Sequence, residues 1–153
     1  MIFKKIILTN IFSYSGECIF DLEGRTDKKN IVLISGRNGF GKTSFLNAVK
    51  LLFTGVTKDL LKEVQRQRMP SIKQYVLGSG DDWWGIINRH ADKNNTNCSV
   101  QIIWVENDIE VDVKREWKIA RHKIESMSIT IKFKSKELDN LQGDDAERFL
   151  AKR

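Results

Sequence analysis

Residues 36–43, Gly-Arg-Asn-Gly-Phe-Gly-Lys-Thr, constrain the fold of this chain most, because they fit the pattern G-x-x-x-x-G-K-[ST] at every fixed position. The apolar run Ile31–Ile34 comes just before them and predicts a strand over residues 31–35, buried on both faces. Residues 44–53 follow, are rich in helix formers, and end before Gly55, a helix-stop signal. Strand, glycine loop and helix therefore occur in the order that the motif requires, which disfavours a chance match in a glycine-rich turn.

The residue types of this loop predict its ligand. Gly36, Gly39 and Gly41 carry no Cβ, so the backbone can approach phosphate oxygens closely. The N–H groups of the loop and of the helix start form a nest for anions. Lys42 should reach the β- and γ-phosphates of a nucleotide, and the Thr43 hydroxyl should be a ligand of Mg²⁺.

Length and composition predict one globular domain. The chain has 153 residues, 41% of them hydrophobic and 30% charged, and no apolar run approaches the length of a membrane span. Cys18 and Cys98 are too few for a disulfide framework, which favours a cytoplasmic protein. Cys18 alternates with Phe20 and Leu22, so we expect a buried strand thiol.

The net charge of +6 is unevenly placed, since residues 111–136 hold eight Lys and Arg against three acids. Such an excess permits contact with nucleic acid. A solvated strand face is the simpler interpretation, because these residues fall largely on the polar side of predicted strands.

Alternating apolar residues predict a β-hairpin before the loop. Residues 2–12 and 17–23 are the expected strands, with Ser15–Gly16 as the turn. After the loop helix, we expect a second helix over residues 57–69, capped by its first residue. Residues 78–97 are rich in Gly, Asp and Asn and predict an irregular excursion with one short helix.

The C-terminal half predicts an antiparallel meander covered on one face. Residues 98–104, 109–119 and 127–133 each alternate apolar and polar side chains. Asn107–Asp108 marks a tight turn, and Arg115 is the one intruder on the apolar side.

The predicted fold class is α/β: a mixed sheet with the loop helix and the meander, in one domain over residues 1–153. Residues 144–153 read as the start of a helix with Ala146, Phe149 and Leu150 on one side. No closing element follows, so we expect the natural protein to continue.

A nucleotide hydrolase also needs a carboxylate that holds Mg²⁺ and a group that orients water. Glu106 ends an apolar stretch, but the first strand of the meander explains that stretch better. His90 and His122 lack metal-ligand spacing and are expected at the surface. Trp83–Trp84 could stack on a base or a partner, although core packing or a loop anchor is the simpler interpretation.

The element Asn10–Tyr14, Asn-Ile-Phe-Ser-Tyr, and the loop in residues 35–43 together resemble the N-terminal half of the ATPase head of SMC-like ABC ATPases, which include the SbcC, RecF and RecN types. Within that branch the chain is most similar to the DndD family of bacterial DNA phosphorothioation systems. The likeness covers most of residues 1–55 well and the meander loosely. It implies that the ligand is ATP with Mg²⁺, and that the parent ATPase drives DNA processing, modification or repair.

The resemblance also implies roles for individual residues. Ser13 and its neighbours should lie near the adenine or ribose. Phe12 stands where many repair relatives have Arg, which leaves the adenine contact open. The residues expected to touch phosphates or Mg²⁺ are Asn38, Gly39, Gly41, Lys42, Thr43 and Ser44.

Partners follow from the same resemblance. In the family, ATP lies between two heads: one supplies the phosphate loop, and the other supplies a signature motif from its C-terminal lobe, which a long coiled coil separates in sequence from the first lobe. We therefore expect this chain to be an N-terminal lobe truncated before the coiled coil, with no catalytic residue of its own. Its partners would be the C-terminal lobe, a second head and, for the parent protein, DNA, with no membrane. Gln142 is the nearest candidate for the family's Q-loop glutamine, but its polar turn favours a Q-loop beyond the chain.

Three other functions compete with this interpretation. A transporter ATPase would carry its Q-loop near Trp83–Trp84, where no Gln lies. A small P-loop kinase would need an Arg-rich lid where the meander takes up the chain. A non-catalytic nucleotide-binding module that serves mainly to bind a partner stays open.

Overall fold

The structure, a computed structural model, describes residues 1–24, 31–57, 71–79, 83–92 and 94–153. The strands and helices in these ranges are, in chain order, β1 (Ile2–Ile11), β2 (Tyr14–Asp21), α1 (Lys42–Thr54), α2 (Ile72–Leu77), β3 (Asn95–Glu106), β4 (Ile109–Ala120), β5 (Lys123–Phe133), β6 (Leu141–Gln142) and α3 (Gly143–Leu150).

The six described strands lie in one antiparallel sheet, in the spatial order β2-β1-β3-β4-β5-β6. The expected combination of helices and strands is confirmed, but across the described residues the sheet is antiparallel rather than mixed. Helix α1 contacts β3, while α2 and α3 contact β5. Fully buried side chains in this core include Leu8, Leu52, Val100, Ile102 and Trp104.

The predicted meander is confirmed as β3, β4 and β5, which pair along nearly their whole length. A two-residue turn joins the first pair at Asn107–Asp108, as predicted, and a second turn at Arg121–His122 joins the next pair. All four residues have a φ between 50° and 60°, and two successive positive φ values are typical of the type I′ turn, whose twist suits a hairpin. The second turn was not predicted, because Arg and His do not signal it.

The predicted hairpin is confirmed in β1 and β2, but its turn is not at Ser15–Gly16. The strands pair up to Ile11 and Tyr14, so residues 12–13 make the turn. The Gly16 N–H lies inside β2 and donates to Oδ1 of Asn10 at 2.8 Å. The prediction was wrong because the Ser-Gly pair lies opposite an irregularity in β1 rather than at a chain reversal.

Two apolar segments that were predicted to be buried are not. Residues 31–35 form no strand, and the side chains of Ile31 and Leu33 are 89% and 85% exposed. Cys18 is only half-buried, since β2 is an edge strand of the described sheet. An apolar run predicts that a segment is buried, but the sequence pattern does not identify the element that packs against it.

The helix predicted after the loop is confirmed as α1. It begins directly after Gly41 and ends just before Gly55, whose N–H donates to the carbonyl of Leu51 at 3.0 Å. This glycine-ended helix lies against the sheet. Its buried side chains are Phe45, Ala48, Leu51 and Leu52.

The predicted second helix at residues 57–69 lies outside the described residues from 58 onward. Helix α2 begins with a capping box, in which Ser71 Oγ accepts from the Gln74 N–H at 3.2 Å and Gln74 Oε1 accepts from the Ser71 N–H at 2.8 Å. The short helix expected within residues 78–97 is absent from the described residues 83–92, which are irregular.

The predicted last helix is confirmed as α3, with Ala146 and Leu150 buried. The buried Arg115 connects it to α1. Nε and Nη2 of Arg115 donate to the carbonyl of Leu52 at 3.1 and 3.0 Å, and Nη1 and Nη2 donate to the carboxylate of Glu147 at 2.6 and 2.9 Å. The charged intruder on β4 therefore joins the carboxyl end of α1 to α3.

Candidate functional site

The backbone of residues 36–43 explains two of the glycines in the motif. Gly39 and Gly41 have φ values of 85° and 84°, a left-handed conformation that strains any residue with a Cβ. A Cβ on Gly41 would also lie 3.2 Å from the hydroxyl of Tyr14. Glycine therefore adopts this conformation without strain at both positions, and at Gly41 it also leaves room for the hydroxyl of Tyr14.

Lys42 bends back over the loop. Its Nζ donates to the carbonyls of Gly36 and Arg37 at 2.6 and 2.9 Å. Helix α1 starts without a side-chain cap and with no acidic residue in its first turn. The lysine and the uncapped start of α1 belong to the same short segment, and each of them favours an anion.

Two hydroxyl residues follow Lys42 in the first turn of α1. Thr43 is exposed, whereas Ser44 Oγ lies 2.9 Å from Oγ of Ser13, within hydrogen-bond distance. The structure thus brings Ser13 to the first turn of α1 and leaves Asn38 exposed in the turn of the loop. The ligand contacts of all these residues stay predictions.

Tyr14 supports the loop, a role that the sequence did not predict. Its hydroxyl donates to the carbonyl of Gly41 at 3.0 Å, and its ring meets Phe20 edge-on at 5.6 Å. Burial, and then the charge of Cys18, raise the pKa of the Tyr14 phenol. The phenol therefore stays protonated and able to donate. Its place in the Asn-Ile-Phe-Ser-Tyr element was the signal that could have found it.

A cavity of about 570 Å³ lies beside the loop, a volume that suits a small-molecule site. The loop, the hairpin turn and helix α1 contribute Gly39, Phe12, Ser13 and Ser44 to its lining. Residues 84–90 form the facing side, where Trp84, Arg89 and His90 are exposed.

Glu106 and Gln142, which the sequence analysis weighed, do not line this cavity. Glu106 ends β3 and pairs with Arg153 at 3.1 Å, so its interpretation as part of a meander strand is confirmed. Gln142 precedes α3 and lines a second cavity of about 510 Å³ at the carboxyl end of α1, together with Gly55.

The basic excess in residues 111–136 is partly neutralised. Lys114 pairs with Glu116 at 2.8 Å, and Lys134 pairs with Glu110 at 3.7 Å. These pairs favour the solvated-face interpretation.

No helix among the described residues is long and apolar enough to cross a membrane. In the same part of the chain, no three His, Cys, Asp or Glu side chains are grouped so that they could hold a metal ion. His90 and His122 are both exposed, as predicted.

Comparison with known proteins gave one match. The model of a family described as AAA domain, AAA_23, matches residues 5–152. No curated protein matches the chain. The matched range contains the whole loop, α1 and the three strands of the meander.

Proposed function

Because the chain belongs to the AAA domain family AAA_23, an SMC-like P-loop ATPase family, we propose that it is the ATP-binding lobe of an ATPase head. ATPase-related function and nucleotide binding come with the family. The proposal adds that residues 36–44 hold the phosphates of ATP in this chain, and that the lobe works as one half of a composite site.

One observation carries this proposal: the left-handed glycines, the ammonium of Lys42 and the uncapped start of α1 occur together in residues 36–44. Each of these features favours a phosphate group. Lys42 would exchange its carbonyl partners for the β- and γ-phosphates, since a charge-assisted bond to phosphate is stronger than one to a neutral carbonyl.

Mg²⁺ would be held through Thr43. Its exposed hydroxyl lies in the first turn of α1, next to the lysine. An oxygen ligand suits this hard cation, which commonly completes its coordination with phosphate oxygens and water. When bound, the ion neutralises charge that develops on the γ-phosphate.

The lobe would need two partners to hydrolyse ATP: its own C-terminal lobe and a second head. The exposed apolar residues Ile31–Ile34, which lead directly into the loop, support the first. The sequence of this segment is that of a buried strand, yet its side chains are exposed. Such a segment is suited to pairing with further strands. In this proposal the second head supplies the groups that orient water and stabilise the transition state.

The finer assignment is a cytoplasmic ATPase of DNA processing, of the DndD type. The likeness of Asn10–Tyr14 and of the loop supports the SMC-like branch, and the DndD type rests on the overall likeness of the sequence alone. The DNA affinity of this chain alone would be low and salt-sensitive, because Lys114 and Lys134 are already paired with acids. A non-catalytic nucleotide-binding module is the alternative that shares the same loop.

Calorimetric titration of the chain with Mg-ATP tests the proposed function. Lys42→Ala should lower the affinity about tenfold or more, because charge-assisted bonds to phosphate are lost. Lys50→Ala is the matched control, since Lys50 is an exposed lysine on the same helix, and it should leave the affinity unchanged. Turnover of ATP by the chain alone should be negligible.

Two results would contradict the proposal. Equal losses of affinity in the two lysine variants would remove the loop from the binding site. Steady turnover that survives Lys42→Ala would place the chemistry elsewhere in the protein.

A further inference from the structure

The adjacent residues Trp83 and Trp84 lie in opposite environments. The indole N–H of Trp83 donates to the carbonyl of Tyr75 at 2.8 Å, and the two rings stack at 5.5 Å. Trp83 thus anchors the segment, as the simpler interpretation predicted for both tryptophans, whereas that prediction is wrong for Trp84. Trp84 is 59% exposed, and so large an apolar ring left open suggests a contact with another molecule.

The backbone around Trp84 is fixed from one side by α2. The Ile86 N–H donates to the carbonyl of Val76 at 3.1 Å. Gly85 has a φ of 88°, and a Cβ there would lie 2.4 Å from the same carbonyl. Only glycine allows this close approach of the two backbones. Trp84 therefore precedes a residue whose backbone is packed directly against α2.

The same segment is tied to the phosphate loop through the hairpin turn. The Phe12 N–H donates to the carbonyl of Ile86 at 2.6 Å, and Nδ2 of Asn88 donates to the carbonyl of Phe12 at 2.8 Å. The next residue, Ser13, contacts Ser44 of α1 at 2.9 Å. The position of Trp84 relative to the loop is therefore set by a chain of short contacts.

These contacts place the indole on the cavity of about 570 Å³ that Gly39 and Ser44 also line. The guanidinium of Arg89 lies 5.6 Å from the centre of the Trp84 ring, and its Nε donates to Nε2 of His90 at 3.1 Å. A cation near the ring holds the indole in place. An aromatic face beside a guanidinium plane is a surface on which nucleobases stack.

We propose that Trp84, oriented by Arg89, is the stacking platform for the base of the nucleotide whose phosphates lie in the loop. This inference rests on the proposed function and adds to it a base subsite that the sequence left open at Phe12. Every base has a π face, so the platform should favour nucleoside triphosphates over bare polyphosphate, and purines, with their larger rings, over pyrimidines.

The test compares Mg-ATP with Mg-tripolyphosphate, which has the phosphates but no base, on the 153-residue chain. Trp84→Ala should weaken ATP about tenfold, the usual scale for one stacked base, and should leave tripolyphosphate unchanged. Ile19→Ala is the matched control: Ile19 is 56% exposed on β2 and does not line the cavity. ATP should also change the tryptophan fluorescence of the wild type, and Trp84→Phe should remove that change while retaining most of the affinity.

The possible results separate this inference from the proposed function. If the wild type binds both ligands equally, or if Trp84→Ala weakens both equally, the base platform is overturned and the phosphate site stands. If the wild type binds neither ligand, the proposed function falls and the platform falls with it. An ATP-dependent dimer that Trp84→Ala abolishes without loss of ATP affinity would assign the indole to a contact between copies instead.

Discussion

Tyr14 ties the hairpin to the phosphate loop through a single hydroxyl. It donates to the carbonyl of Gly41, the residue whose left-handed conformation starts α1. The ring also leads into the core, because Phe20 contacts Tyr14 and then packs edge-on against Phe45 at 4.9 Å. A substitution of Tyr14 should therefore destabilise the loop as well as the hairpin.

Tyr14→Phe should alter the dependence of stability on alkaline pH. The pKa of the folded phenol is raised above 10.0 by burial and by Cys18. The folded state thus holds its proton more tightly than the unfolded state, so the stabilisation is complete below pH 10.0 and is lost as the pH rises through the folded pKa. Urea unfolding from pH 8 upward should show a steeper fall in the wild type than in the variant.

At neutral pH the same variant should lose about 1 kcal/mol of unfolding free energy, the usual value of one neutral hydrogen bond. Cys18→Ser serves as a second comparison, because it removes the smaller cause of the raised pKa and keeps the hydrogen bond of Tyr14. Parallel alkaline slopes in the wild type and in Tyr14→Phe would show that the phenol does not titrate differently on folding.

At the scale of elements, Arg115 does what no apolar residue on β4 could do. Its guanidinium donates hydrogen bonds to the carbonyl of Leu52, near the end of α1, and to the carboxylate of Glu147 on α3. A backbone acceptor and an acid from two different helices are thereby satisfied by one side chain of the sheet. The guanidinium also packs close to Gly55, where an added Cβ would lie 3.4 Å from Nη1 of Arg115.

Arg115→Leu should lower the free energy of unfolding by about 3 kcal/mol, because it leaves the Leu52 carbonyl without its donor and removes the buried guanidinium that pairs with Glu147. Glu147→Ala should lower the free energy of unfolding by less, since Glu147 is 44% exposed. The guanidinium also keeps its hydrogen bonds to the Leu52 carbonyl in that variant. Lys134→Ala, which breaks an exposed pair, should cost under about 0.5 kcal/mol. Chemical unfolding of the single and double variants gives the coupling of Arg115 with Glu147, and additive losses would contradict the link.

The sequence predicted those elements whose signal is local. The alternation along β3, β4 and β5 identified the meander, and the glycines on either side of α1 identified that helix. The turn at Arg121–His122 depends on left-handed residues that carry no turn signal, and the hairpin turn at residues 12–13 depends on a left-handed Phe12, which carries none either. The partners of Arg115 come from helices 63 and 32 positions away in sequence, a distance over which no periodicity operates.

The candidate site divides in the same way. The loop from Gly36 to Ser44 is contiguous and could be read directly from its motif. The cavity beside it could not, because Trp84 and Arg89 are placed near the loop by hydrogen bonds that Ile86 and Asn88 make with Phe12 of the hairpin turn. The two tryptophans were identical in the sequence pattern, and only tertiary packing separated the anchor from the exposed ring.

At the scale of the whole molecule, apolar surface is distributed unevenly around the phosphate loop. After the loop, α1 buries Phe45, Ala48 and Leu52 against the sheet. Before the loop, the apolar side chains of Ile31–Ile34 are exposed. In the proposed head, the open side is where the C-terminal lobe would add its strands, so that the loop would be supported from both sides only in the assembled protein.

The double substitution of Ile31→Ser with Leu33→Ser tests this difference between the two sides. Since both side chains are more than four-fifths exposed, their loss removes little buried surface and should change the free energy of unfolding by less than about 0.5 kcal/mol. It should reduce self-association and the binding of a hydrophobic dye, because exposed apolar patches drive both. Ile102→Ser, at a fully buried position of β3, is the control and should cost several kcal/mol, about the scale of a core truncation with a buried hydroxyl. Thermal unfolding with sedimentation measures both effects, and a loss of stability in the double variant as large as that in Ile102→Ser would mean that residues 31–34 are packed in the core of this lobe and need no partner.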